Sequence, residues 1–149
     1  MPRLLVLPLL LLLTACSTAT RPYTSLDLKQ VRSAYVAIRP IYVNFKAAYL
    51  RGDTVGILDG FRREQRACRV VDKVDNRDTI NPNTNLFQAS IGNDDMCNAI
   101  ESAYVAWAKA HHYPYNKSVV PGDPEDVFLT SDLDLLKMQA YLRHPAAYA

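Results

Sequence analysis

The 149-residue chain is predicted to fold as an all-α protein, a small bundle of about four helices. Three features favour this class. Apolar side chains recur at alternating spacings of three and four residues, which is the period of an amphipathic helix. Capping residues precede these stretches, and glycine or proline follows them. Strand signals are few, and the alternative is an α+β domain with a short hairpin at 117–120 or 87–91.

The first helix is predicted by the longest apolar pattern in the chain. Thr24 and Ser25 can cap its start, and Asp27 adds an early carboxylate that the helix dipole favours. Seven positions then follow heptad spacing: Leu28, Val31, Tyr35, Ile38, Tyr42, Phe45 and Tyr49. Pro40 lies away from this stripe, so it should kink the helix rather than abolish it. Gly52 is the expected C-terminal stop.

A second helix is predicted from a cap at Asp53 to about Val74. Its apolar face would hold Leu58, Phe61, Cys68 and Val71, with Gln65 less well placed. Basic side chains recur on another face, and we call them the basic row: Arg62, Arg66, Arg69 and Lys73. Such a row is either a solvated surface, with Glu64 and Asp72 nearby, or a contact for anionic headgroups or an acidic partner.

The stretch 75–95 is predicted to be one long irregular loop. It is rich in asparagine, which favours Asx turns, and it holds several apolar residues that can pack back onto the bundle. An EF-hand does not fit, because no frame starting at Asp72, Asp75 or Asp78 has the required ligand and glycine positions.

Two further helices complete the predicted bundle. The third would start at Asn93 or Asp94 and run to about His111. Its heptad positions are Cys97, Ile100, Tyr104, Trp107 and His111. The fourth has a start signal at Asp123 and Pro124. A restart at Thr130 or Ser131 would carry it to about Arg143, before Pro145. Its predicted apolar face consists of Leu133, Leu136, Ala140 and Met138.

The N-terminal sequence predicts an export signal. Its basic start at Arg3 precedes an apolar run over 4–13 that is too short, at about 1.5 Å per residue, to cross a bilayer core of about 30 Å. The run ends in Leu13, Thr14, Ala15 and Cys16, which resemble the lipobox of bacterial lipoprotein signal peptides. Secretion with a chance cysteine is the alternative.

The resemblance implies cleavage after Ala15, diacylglycerol on the Cys16 sulfur and a further acyl chain such as palmitate, which together anchor a protein stably. It divides the chain into a signal peptide at 1–15, a lipidated tether at 16–24 and a helical domain at 25–149. Ser17, in place of the aspartate associated with inner-membrane retention, favours the outer membrane, facing the periplasm.

Charge and cysteine content narrow the function. Cleavage would remove Arg3 and leave 16 basic against 15 acidic side chains, so no nucleic-acid partner is expected. Cys68 and Cys97 remain, and we expect them to form a disulfide in an oxidising periplasm. A metal pair or two free thiols are the alternatives. No CxxC, HExxH or CxxCH motif occurs, so no metal site and no cofactor are predicted.

Three classes of function follow. The first is a non-enzymatic interaction or accessory protein, held to the bilayer through Cys16 and binding another envelope protein. The second binds a small hydrophobic or glycan ligand between aromatic side chains: Tyr35, Tyr42, Tyr104 and Trp107. The third is an enzyme, which we disfavour because the residues around His111 and His112 match no catalytic motif. A homodimer stays open if the stripe of the first helix is wider than one bundle needs.

Overall fold

The computed structural model describes residues 25–75 and 85–145, and it confirms the all-α prediction. The four helices are α1 (Ser25–Leu50), α2 (Thr54–Asp75), α3 (Asn85–Ala110) and α4 (Pro124–Arg143). The described ranges contain no strand, so the α+β alternative is wrong for them. Residues 1–24, which include Cys16, and residues 76–84 lie outside the described ranges.

Helix α1 is the long amphipathic helix that the heptad pattern predicts. Its stripe is the central strip of the core, with Val31, Ile38, Tyr42 and Phe45 buried. Leu28, Tyr35 and Tyr49 are partly buried against that core. Pro40 lies inside the helix, which continues through it. Because its side chain is exposed, the proline does not disturb the packed face.

The turn from α1 to α2 follows the predicted capping chemistry. Gly52 adopts a left-handed conformation with φ of 65°, which glycine tolerates without a side-chain penalty. The amide of Asp53 donates to the carbonyl of Ala48 at 2.9 Å. The Asp53 carboxylate then accepts from the Gly56 amide at 3.0 Å, as an N-cap does. The two helices are thereby fixed as antiparallel neighbours.

Helix α3 starts earlier than predicted. Its first residue is Asn85, so residues 85–92 are helical rather than part of the predicted loop. Asn93 does not cap the helix but lies inside it, 1% exposed. Its Nδ2 donates to the Val31 carbonyl at 3.2 Å, so the asparagine joins α3 to α1. A polar residue typical of caps therefore satisfies a buried contact instead.

Helix α4 starts as predicted but buries a different face. The Asp123 carboxylate caps it, with Pro124 in the first turn, and the helix runs without a restart at Thr130 or Ser131. Its buried residues are Phe128, Ser131, Leu135, Met138 and Tyr141. Met138 was predicted correctly, but the prediction of Leu133 and Leu136 as core was wrong, because both are more than half exposed. The face of α4 that holds Phe128 and Tyr141 packs into the core, so Leu133 and Leu136 on the other face are left exposed.

The helices form a bundle in which α1 packs on α2 and α3, and α3 packs on α2 and α4. Helices α1 and α4 run antiparallel and are joined by polar contacts and by the Phe128 ring, which lies against rings of α1. Arg32 donates to the Leu142 carbonyl at 3.0 Å near one end, and Tyr42 meets Asp132 further along. Within the described residues, each helix is too polar or too short to span a membrane.

Candidate functional site

The predicted disulfide is confirmed. Cys68 on α2 and Cys97 on α3 are bonded, with their Cα atoms 5.9 Å apart. Both side chains are buried, because each occupies the apolar face that heptad spacing assigned to it. The bond joins the second and third helices, whose connection includes the residues 76–84. Cys16, the predicted lipidation site, lies outside the described residues.

The basic row is brought to the surface of α2. Arg62, Arg66 and Arg69 are exposed, and the helix continues through Lys73, whose side chain is not described. Exposed acidic side chains on the same helix, Asp59 and Asp72, partly offset this charge. The placement fits both interpretations, and contact with anionic groups stays a prediction.

A buried acid next to the disulfide was missed from the sequence. Glu64 is only 6% exposed, and one of its carboxylate oxygens lies within 4.8 Å of the sulfur atoms of Cys68 and Cys97. Burial, and to a lesser extent the nearby charges of Glu101 and Asp72, raise the pKa of Glu64 to about 7. The spacing Ile57, Phe61, Glu64, Cys68 and Val71 would have placed the acid on the apolar face.

We expect Glu64→Gln to stabilise the protein at pH 8 by about 2 kcal/mol and to have little effect at pH 4. The pKa of Glu64 is raised from 4.5 in the unfolded chain to about 7 in the folded one. The folded state therefore binds more protons between these values, and its stability falls as the pH rises from about 4.5 to about 7. Urea unfolding across this range measures the difference between variant and wild type.

Asp59→Asn is the matched control, because Asp59 is exposed on the same helix. The pKa of Asp95 is also raised to about 6, chiefly by burial, so Asp95 adds its own pH dependence to the stability. Because Asp95 is unchanged in both variants, this contribution is the same in the variants and in wild type. A Glu64→Gln curve parallel to the wild-type curve from pH 4 to pH 8 would contradict the assignment.

Of the four aromatic residues proposed to line a ligand cavity, three divide between two clusters and the fourth, Tyr35, lies apart. Tyr42 lies in a cluster with the rings of Phe45, Tyr49 and Phe128. Tyr104 and Trp107 lie in another, where the Tyr104 ring stacks on Phe61 with centroids 3.7 Å apart. Tyr42, Tyr104 and Trp107 are buried and fill the core. Tyr35 lines a separate shallow groove near Leu142.

An exposed apolar surface lies along α1 and α4. Between them runs a groove of about 490 Å³, the α1–α4 groove. It is lined by Lys46, Tyr49, Leu50, Pro124, Glu125, Phe128, Leu129 and Asp132. Beside it, α1 carries the α1 row of Val36, Val43 and Leu50, which are 64%, 44% and 68% exposed. On α4, Leu129, Leu133 and Leu136 are 60%, 52% and 60% exposed.

The floor of the α1–α4 groove is polar and fully paired. The Tyr42 hydroxyl donates to Asp132 at 2.7 Å and lies 3.2 Å from the Phe128 carbonyl. Lys46 forms an ion pair with the same carboxylate and lies 5.6 Å from the Phe128 ring centroid. Burial and the Asp132 carboxylate raise the pKa of Tyr42, which keeps its hydroxyl a donor. The apolar side chains above this floor face solvent, as interaction surfaces do.

The histidines lie at helix ends, as predicted. His111 follows α3, where its ring stacks on Trp107 and its Nδ1 lies 2.8 Å from the Trp107 carbonyl. His112 adopts a left-handed turn, and His144 caps the C-terminus of α4. Searches of known protein families, curated proteins and solved structures find no match to this chain.

Proposed function

We propose that this protein is a lipid-anchored lipoprotein of the bacterial envelope that acts by binding another envelope protein rather than by catalysis. Cys16 would hold it to the outer membrane, on the periplasmic side. The observation that carries the binding role is the apolar surface formed by the α1–α4 groove and the α1 row. Four large apolar side chains are exposed there, Val36, Val43, Leu50 and Leu129, although other apolar residues of the same helices are buried in the core.

The shape of this surface favours a helical segment of the partner. A groove between two antiparallel helices accepts the apolar face of a third helix, which would contact side chains on both rims. Leu50 and Leu129 stand on opposite rims, so one docked helix could bury both. The paired floor of Tyr42, Lys46 and Asp132 needs no polar group from the partner, because each already has a bond.

The basic row adds a second contact to the proposal. The tether of about nine residues reaches at most about 30 Å, so the bundle stays close to its own membrane. Arg62, Arg66 and Arg69 are exposed on α2 and can meet anionic headgroups or an acidic segment of the partner.

Photo-crosslinking in intact cells tests the binding face. A photoreactive residue at Val43, in the α1 row, is expected to capture a specific envelope protein. The same residue at Val55 is the control, because Val55 is 77% exposed on α2 and does not line the groove. We expect Val43→Asp to lower capture from a probe at Leu50 by about tenfold, since it places an unpaired charge in the contact. If the probes at Val43 and Val55 capture the same proteins to the same extent, this face is not the binding surface. The same conclusion follows if the probes at Val43 and Leu50 capture no protein.

The anchor needs its own measurement. The intact mass of the membrane-extracted protein is expected to show the acyl chains on a chain that begins at Cys16, and Cys16→Ala should abolish both processing and membrane retention. Capture by the Val43 probe that persists in a soluble Cys16→Ala variant would separate binding from anchoring. An unlipidated wild-type mass would reject the lipoprotein assignment.

A further inference from the structure

The outer face of α4 carries an apolar seam of its own. We define the α4 seam as Leu129, Leu133, Leu136 and Ala140, which follow one another at spacings of four, three and four residues. This is the spacing at which two helices of a coiled coil meet. The three leucines are more than half exposed, whereas the core face of α4 lies on the opposite side of the helix. The seam is therefore a contact face of its own, which shares only Leu129 with the α1–α4 groove.

Opposite charges extend the seam at its two ends. Asp126 stands one heptad before Leu133, and Arg143 stands one heptad after Leu136, so both continue the same line. Both side chains are exposed. The helix dipole alone would favour an acid at the start of α4 and a base at its end. It does not explain why three exposed leucines connect them.

The residues of the α4 seam and its two charged ends can pair with the same residues of an antiparallel copy. An antiparallel copy of α4 would place Leu133 against Leu136, Leu129 against Ala140 and Asp126 against Arg143 of the second copy. Each layer then occurs twice, as two-fold symmetry requires. A parallel copy would place Asp126 against Asp126 and Arg143 against Arg143, and this repulsion disfavours it.

We propose that a second copy of this chain docks on α4, with the two α4 helices antiparallel about a two-fold axis between Leu133 and Leu136. This inference deepens the proposed function, because it names a second copy of the chain as one partner of the exposed surface on α4. It rests on the proposed function only in that the α4 seam adjoins the α1–α4 groove. The α1 row lies on a different helix and stays available to the envelope partner, whereas Leu129, which also lines the α1–α4 groove, would contact the second copy.

Charge reversal in two differently tagged full chains, produced in the same cell, tests the pairing. One tag is retrieved from detergent-solubilised membranes, and the amount of the second tag that accompanies it is measured. When both chains carry Asp126→Arg, or both carry Arg143→Asp, two like-charge contacts form and co-retrieval should fall about tenfold. When one chain carries Asp126→Arg and the other Arg143→Asp, both contacts again join opposite charges, and co-retrieval should return to the wild-type level.

The mixed pair separates docking from folding, because each chain in it carries the same substitution that fails in the matched pair. Leu136→Asp in both chains should lower co-retrieval at least as far as the charge reversals. Asp59→Arg is the matched control on α2, where Asp59 pairs with Arg63 at 3.6 Å, and it should change nothing.

Three results would overturn the proposal: little co-retrieval of the wild-type chains, undiminished co-retrieval of either matched pair, or a mixed pair that does no better than the matched pairs. If any of these occurs while the Val43 probe still captures an envelope protein, the second copy is rejected and the proposed function stands. If co-retrieval falls in the matched pairs and returns in the mixed pair, but the Val43 probe captures no protein, the second copy stands and the proposed binding of an envelope protein is rejected.

Discussion

Replacing Phe45 with alanine is expected to lower the free energy of unfolding by about 3–5 kcal/mol, the largest effect of any substitution considered for this protein. The Phe45 ring is fully buried and lies among the rings of Tyr49 and Phe128. Across the α1–α2 interface, a Cβ atom added at Gly60 would lie 2.9 Å from the Phe45 ring. The backbone of α2 therefore touches this side chain, and the helices cannot close the cavity without moving together.

Urea unfolding of the two variants Phe45→Ala and Val43→Ala measures the effect against a matched control. Val43 lies two residues earlier on the same helix but is exposed, so its truncation should change stability by less than about 0.5 kcal/mol. A loss below about 1 kcal/mol for Phe45→Ala would mean that α1 and α2 are not packed as described.

Removing the disulfide is the second large effect. We expect the double variant Cys68→Ala/Cys97→Ala to lose about 3–4 kcal/mol, since the bond closes a loop of about 30 residues and thereby restricts the unfolded chain. The two cysteines are 29 positions apart, and the bond joins helices that also pack on each other. Thermal and urea unfolding of the variant, and of wild type under reducing conditions, measure the loss.

Cys16→Ala is the control for thiol chemistry, because it removes a cysteine without touching the bond between α2 and α3. Its helical domain should unfold at the wild-type urea concentration. A double variant as stable as wild type would show that the bond adds nothing to the folded state. If the double variant is destabilised but reduction leaves wild type unchanged, the bond is inaccessible to the reductant rather than unimportant.

Sequence patterns predicted those parts of the fold that depend on local chemistry. The turn at Gly52 and Asp53, the cap at Asp123 and the stripe of α1 each follow from the conformational preference or spacing of a few residues. The start of α3 was predicted wrongly because asparagine is common at helix N-caps, so local chemistry favours a helix start at Asn93. Its actual role, a bond to the Val31 carbonyl, depends on a helix 62 positions away in the chain.

The candidate site was only partly predictable for the same reason. The disulfide followed from the number of cysteines and the expected compartment. The burial of Glu64 and the exposure of Leu133 and Leu136 depend on which face each helix turns towards its neighbours. On α4 two apolar rows of similar quality compete, and the row with Phe128 and Tyr141 wins because aromatic side chains bury more surface. Local spacing does not distinguish such rows.

The position of the disulfide also determines how the protein responds to proteases. Any backbone cut between Cys68 and Cys97, including one at 76–84, leaves the two fragments covalently joined, so the cut protein runs as one molecule until it is reduced. A cut between α1 and α2, or between α3 and α4, lies outside this ring and releases a fragment that only packing retains. Comparing the fragments with and without reductant therefore shows whether a cut lies between Cys68 and Cys97 or outside them, before any fragment is sequenced.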